Sequence, residues 1–195
     1  MKIEKTRITI NRELSDLDIF TLHFTEILQK YTQYVIVSGY VAILLGRARA
    51  SEDIDIIIPK IRFEKFHSLL TELIQQNYYC LNAENEKDIF EYLTENLPIR
   101  FAKRDTIIPN IEIKWAKNTF DDIALEKKIP VYLNTKSVYI SHLELQIAFK
   151  EVILKSPKDT EDARHMKQVA EGYLDKQLIQ KYKEMLRDFY QKKSR

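Results

Sequence analysis

The chain is poor in the residues that make loops long or cross-linked. It has 3 glycines, 5 prolines and a single cysteine, Cys80, in 195 residues. A lone cysteine cannot form an internal disulfide, so nothing points to an oxidising compartment. Few glycines and prolines argue against flexible linkers. No charge sign dominates, because 31 Lys and Arg face 29 Asp and Glu. A net charge this small does not by itself indicate a nucleic-acid partner. No apolar run reaches the length of a membrane span, and the N-terminal stretch MKIEKTRITINREL lacks the apolar centre of a signal peptide. A cytoplasmic protein is expected, with no repeats and no low-complexity segment.

What the chain does have is ordinary for one well-cored unit: 45% hydrophobic and 31% charged residues. Residues 5–10 alternate as a short strand. Ser15 and Asp18 form a variant capping box ahead of Leu17, Phe20, Phe24, Ile27, Leu28 and Tyr31, which share one helix face. Tyr34–Val37 reads as a strand, Tyr40–Leu45 as a short buried helix ending near Gly46, and Asp53–Ile58 as a second strand. The periodicity predicts a helix over Ile61–Gln76, strands at Tyr78–Leu81 and Pro98–Ala102, and helix at Asp88–Leu93 between them. Ile111–Trp115 alternates as a further strand, and Val131–Leu133 with Val138–Ile140 suggests a hairpin. Beyond Ser141 everything reads as helix. Ser141 and Glu144 are expected to box a helix running to Leu154, followed by Asp159–Glu171 and Lys176–Gln191. The expectation is an α/β (α+β) fold, a mixed sheet flanked by helices, with a main domain at 1–140 and a helical C-terminal region at 141–195.

Chemistry concentrates in Tyr34–Pro59. Side chains alternate along a strand, so Asp53 and Asp55 leave one face about 6.5 Å apart. Paired carboxylates on an apolar strand suit a divalent cation with hard oxygen ligands; solvated charges at a strand end are the plain alternative. Glu112, on the separate strand IEIKW, either joins that acidic site or acts as a general base, or else pairs with Lys114 as an exposed strand carboxylate. Ser38-Gly39 is either a phosphate-cradling turn or an ordinary strand-to-helix turn. Arg47, Arg49 and Ser51 precede the aspartates; Arg47 is read as a solvated loop residue.

The order of these pieces resembles the DNA polymerase beta-like nucleotidyltransferase superfamily. Its hallmark is a hydrophobic residue and a Gly-Gly or Gly-Ser pair, then Asp-hydrophobic-Asp, then a later strand acid. The phrase Gly46-x-x-Arg49-x-Ser51-x-Asp53-x-Asp55, with Lys150 and then Lys158-Asp159-Thr160-Glu161-Asp162, looks most like the AbiEii-type, toxin-like members. The resemblance spans roughly residues 35–167. Two positions depart from it: Ser38 stands where the first glycine is usual, and Glu112 where aspartate is usual.

The resemblance implies a nucleotidyltransferase-like catalytic domain and transfer of a nucleoside monophosphate from an NTP to a hydroxyl acceptor. Asp53, Asp55 and Glu112 would hold magnesium (or manganese). Ser38 and Gly39 would cradle the phosphates, and Arg49 and Ser51 would orient the donor or shape the loop. Lys150 would reach a phosphate, and Asp159 would position Lys150 or the acceptor. The acceptor would be a tRNA or a protein, as for the toxin of a toxin–antitoxin pair, or a small molecule such as an aminoglycoside. Arg100, Lys103, Arg104, Lys114 and Lys117 are basic positions suited to RNA, and equally to plain solvated surface. The competing readings are a degenerate member of the fold that binds a nucleotide or pairs with another protein without turnover, and a structural protein in which these acids are only surface charge.

Overall fold

In the computed structural model, which describes residues 1–51 and 53–193, nine strands form one mixed sheet. They are β1 (Lys2–Glu4), β2 (Arg7–Ile10), β3 (Val35–Val37), β4 (Asp53–Ile58), β5 (Tyr78–Cys80), β6 (Ile99–Lys103), β7 (Asn110–Trp115), β8 (Ile129–Leu133) and β9 (Lys136–Ile140). Their spatial order is β1-β2-β8-β9-β3-β4-β7-β6-β5. The helices are α1 (Asp16–Leu28), α2 (Gly39–Leu44), α3 (Phe63–Gln75), α4 (Glu86–Thr94), α5 (Thr119–Glu126), α6 (Leu143–Phe149), α7 (Pro157–Val169) and α8 (Lys176–Lys193). This is the mixed sheet flanked by helices that the interleaved pattern predicts. Among the described residues no helix is long and apolar enough to cross a membrane. Of the basic loop at 46–52, Glu52 lies outside the described residues, as do positions 194 and 195 at the end of the expected C-terminal region.

Strand alternation divides the central residues between two cores. Ile36 of β3, Ile54, Ile56 and Ile58 of β4, and Ile111, Ile113 and Trp115 of β7 enter the main core, with Phe24 of α1 and Phe66, Leu69 and Leu73 of α3. Val35 and Ile57 point the other way, into a smaller core with Phe120 of α5, Leu145 of α6 and Tyr182 and Leu186 of α8. The intervening positions on that second face, Asp53, Asp55, Glu112 and Lys114, stay outside both apolar clusters. The short α2 is anchored from α1: buried Asp18 accepts a bond from the Tyr40 hydroxyl at 2.8 Å and from Arg12 Nη1 at 2.6 Å. Ser15 and Asp18 form the expected capping box.

One helix has no sequence expectation, and one local expectation changes. Helix α5 carries no strong apolar period in sequence; it starts because the Asn118 side chain accepts the amides of Phe120 and Asp121. The box at Ser141 and Glu144 does not form. Helix α6 begins one residue later, at the N-cap His142, and no described group bonds the buried Ser141 hydroxyl. Glu144 instead accepts the Asp175 amide ahead of α8 at 3.1 Å, because the returning chain offers a donor.

His142 lies between α6 and α8, with Nε2 3.1 Å from the Tyr182 hydroxyl. Burial, then the nearby Lys127 charge, pushes its pKa down from 6.5 to about 4. The folded state therefore holds His142 neutral, while the unfolded chain gains a proton below pH 6.5. The associated stability is complete above pH 6.5 and is lost as pH falls towards 4. The loss is on the order of 3 kcal/mol at about 1.4 kcal/mol per unit. Urea unfolding at pH 7 and pH 4.5, compared between wild type and His142→Gln, is expected to show a smaller acid loss in the variant.

Candidate active site

Register brings the acids together. Parallel pairing of β4 with β7 sets Asp53 opposite Asn110 and Asp55 opposite Glu112. Antiparallel pairing of β3 with β4 places Val37 beside Asp55, and that of β6 with β7 places Arg100 beside Glu112. One ligand oxygen from each of Asp53, Asp55 and Glu112 lies within 4.8 Å of the others. Glu112 pairs with Arg100 (Nη2 to Oε2, 2.6 Å), not with Lys114 on its own strand. The reason is geometric: a cross-strand neighbour is nearer than a residue two positions along the same strand.

Burial raises the Asp55 pKa, and the Glu112 and Asp53 charges add to this; the Lys114 charge and a hydrogen bond from the Ser38 hydroxyl oppose it. Three converging hard oxygens, one of them disfavoured as a bare anion, are a donor set that magnesium or manganese fits. The Ser51 hydroxyl donates to the Asp53 carbonyl at 3.0 Å and shapes the loop entering β4.

Ser38 closes β3 with φ 65° and ψ −134°. A positive φ places a serine in strain of about 1–3 kcal/mol, and the surroundings hold it there. Its amide donates to Gln146 Oε1 of α6 at 3.1 Å, and its side chain lines the same cleft as Asp55. Gly39 meets a different demand, since a Cβ there would stand 3.0 Å from Arg49 Nη1 and Nη2. The Arg49 guanidinium thus lies directly against the turn. Ser38→Ala and Ser38→Gly both lose the hydroxyl, but only glycine relaxes the backbone. Ser38→Gly is expected to be the more stable of the two by about 1 kcal/mol or more, read by urea unfolding of the two variants.

Behind the turn lies a buried charge network. Asp162 of α7 accepts from Arg47, from Arg49 Nη1 (2.7 Å) and from Lys150 Nζ (2.8 Å), and its side chain is 0% exposed. Lys150, 1% exposed, also donates to Asp159 Oδ1 at 3.0 Å. It is the first residue of a π-helical turn, Lys150–Leu154, that continues α6. The structure therefore brings Lys150 to two carboxylates and not to an open anion site, because a buried ammonium must be paired. Asp159 and Lys150 are thus direct partners in the network. Burial opposes ionisation of Asp159, yet bonds from Ser156 and Lys150 hold its pKa below the ordinary carboxylate value. Arg47, read from sequence as solvated, belongs to this network. Asp162, its hub, ends the Lys158–Asp162 motif in the sequence, where no role is read for it.

The acids stand between two clefts. One, of about 200 Å³, is lined by Ser38, Asp55, Lys114, Asp121 and Gln146 with Phe120 and Phe149. The other, of about 350 Å³, is lined by Asp53, Asn82, Arg100, Ile107 and Asn110. Of the basic positions grouped for RNA, Arg100 is held by Glu112, Lys114 sits in the first cleft, and Lys103 donates to the Gln76 carbonyl at 2.7 Å. Gln146 and Phe120 carry no sequence signal, because their place depends on how α5 and α6 cover the sheet.

No family model and no curated protein matches the sequence. Among solved structures the chain is similar to the antibiotic-resistance factor ANT(2'')-Ia, at 13% identity and a TM-score of 0.54, over 91% of this chain and 96% of that one. It is also similar to an antigenic nucleotidyltransferase-like protein from Paracoccidioides brasiliensis, at 15% identity and a TM-score of 0.49, over 89% of this chain and 86% of that one. At these identities the likeness is one of fold. The chain shares with ANT(2'')-Ia a mixed α/β sheet flanked by helices.

Proposed function

We propose that this protein is a metal-dependent nucleotidyltransferase of the AbiEii-like kind. It would move a nucleoside monophosphate from an NTP, ATP included, to a hydroxyl acceptor and release pyrophosphate. The observation that carries this is the convergence of Asp53, Asp55 and Glu112 from two paired strands, within 4.8 Å and beside Ser38. These three carboxylates would hold magnesium or manganese. When bound, the metal supplies neutralisation of charge on the reacting phosphate and its leaving group.

The chain's own residues would do the rest by positioning. Ser38 and Gly39 would face the triphosphate, with the Arg49 guanidinium already against that turn. Lys150 and Asp159 would act through Asp162, which holds Arg49 in place. The acceptor hydroxyl would approach from the cleft on the Arg100 side. Its oxygen attacks the α-phosphorus as the bond to the β-phosphate oxygen breaks, and its proton passes to Glu112, whose other oxygen Arg100 holds. A tRNA end or a protein acceptor fits the toxin-like resemblance, with an antitoxin as partner and a cytoplasmic setting where NTP and magnesium coexist. A small-molecule acceptor fits the likeness to an antibiotic-resistance factor.

The test is incubation with each labelled NTP, magnesium and either total RNA or lysate. Label should pass to an acceptor and fail to do so in Asp55→Asn. Magnesium-dependent NTP binding with no transfer to any acceptor would indicate a binding module instead. Absence of NTP binding at millimolar magnesium would overturn the reading.

A further inference from the structure

Gln146 touches both the strained turn and the first cleft. It is 6% exposed, and its Oε1 is spent on the Ser38 amide. Among the described residues no group bonds its Nε2, although the side chain lines the cleft. The Nε2 end is not sealed among protein atoms, so this otherwise buried side chain presents a fixed, open donor to the cleft. The cavity's remaining walls are mostly apolar: Val37 and Ile57 from the sheet, Phe120, Leu145 and Phe149 from the helices. At about 200 Å³ it has room for one ring system and not for a macromolecular segment. It also opens onto Ser38 and Asp55, where the phosphates of a nucleotide would lie.

We propose that Gln146 does two jobs: its Oε1 holds Ser38 in its left-handed conformation for the triphosphate, and its Nε2 donates to a ring acceptor atom of the donor's nucleobase in the Phe120–Phe149 cleft. The inference rests on the nucleotidyl-transfer reading and adds to it the place of the base and the residue that reads it. Towards Ser38, Gln146 is a positioning residue. Towards the ring it makes a binding contact. One side chain thereby links occupancy of the apolar cleft to the geometry of the turn beside Asp55.

The two jobs separate in binding experiments that need no turnover. Calorimetry with calcium replacing magnesium would measure Kd for the four NTPs and for ribose 5-triphosphate, which lacks a base. Wild type is expected to bind its best NTP at least about tenfold more tightly than ribose 5-triphosphate, the scale of one buried hydrogen bond. Gln146→Met should weaken ribose 5-triphosphate and also remove most of that tenfold base advantage. In a Ser38→Gly background, where the backbone no longer needs holding, Gln146→Met should leave ribose 5-triphosphate affinity unchanged and still remove the base advantage. If NTPs bind but the base advantage survives Gln146→Met, the base-reading role is overturned. If Gln146→Met weakens ribose 5-triphosphate equally in both backgrounds, the positioning role is overturned. If wild type binds none of these triphosphates, the nucleotidyl-transfer reading fails, and this inference with it.

Discussion

Asp55→Asn is expected to lower nucleotidyl transfer on the order of 10³-fold or more, about 4 kcal/mol of transition-state stabilisation. It removes a carboxylate from a cluster whose three oxygens lie within 4.8 Å. Its effect on the metal-free protein should run the other way. Burial, with Glu112 and Asp53 adding, raises the Asp55 pKa, so the folded state binds a proton more readily than the unfolded one. The stability tied to that proton is present below the unfolded pKa and is lost as pH rises through the folded one, leaving ionised Asp55 a cost at neutral pH. Asparagine has no such cost, and the variant should melt higher than wild type without metal. Magnesium should reverse the order. At 100 times its Kd it adds about 2.7 kcal/mol to wild type, and much less to the variant. Melting with and without magnesium, beside a transfer assay, checks all three outcomes. A lower melting temperature for metal-free Asp55→Asn would show that these acids are not mutually strained.

The second large effect is expected at Asp162. Its fully buried carboxylate takes bonds from Arg47, Arg49 and Lys150. Asp162→Asn leaves Lys150 with Asp159 alone and turns an amide towards two guanidinium groups. Breaking a buried pair by removing one partner costs about 3–5 kcal/mol, here a fall in melting temperature on the order of 10 °C. The arginines are 19% and 17% exposed and can turn to water, but Lys150 at 1% cannot. Lys150→Met should therefore recover part of the loss. A double-mutant cycle in urea should give a coupling of roughly 2 kcal/mol or more between Asp162 and Lys150. Additive effects would mean that the lysine is supported elsewhere.

Local rules reached some residues and not others. Asp53 and Asp55 share a face because strand alternation requires it, and the Ser15 box formed because its partner lies three residues away. Glu112 was legible as a strand acid, but whether Lys114 or Arg100 would pair with it depended on the β6–β7 register. The Ser141 box failed although its spacing was right, because Glu144 met the Asp175 amide from a distant segment. Lys150 and Asp159 were visible as a pair of charged positions. Burial then decided that they brace Arg49 through Asp162 and do not stand open to solvent.

The sequence by itself determined β3, α2, β4 and β7, the two aspartates on one strand face and the Ser38-Gly39 turn, since each follows from contacts a few residues long. Only the tertiary structure decided the rest. Three strands had to align before Asp55, Glu112 and Arg100 stood side by side. Helix α6 had to cross the sheet before Gln146 could hold Ser38 at φ 65°. Helix α7 had to dock before Asp162 could gather three cations. Some of those contacts join residues more than a hundred positions apart, as Ser38 with Gln146 and Arg49 with Asp162. Their strength comes from burial, which no local pattern encodes: inside the fold an unpaired charge or amide is costly, so the fold brings each one a partner.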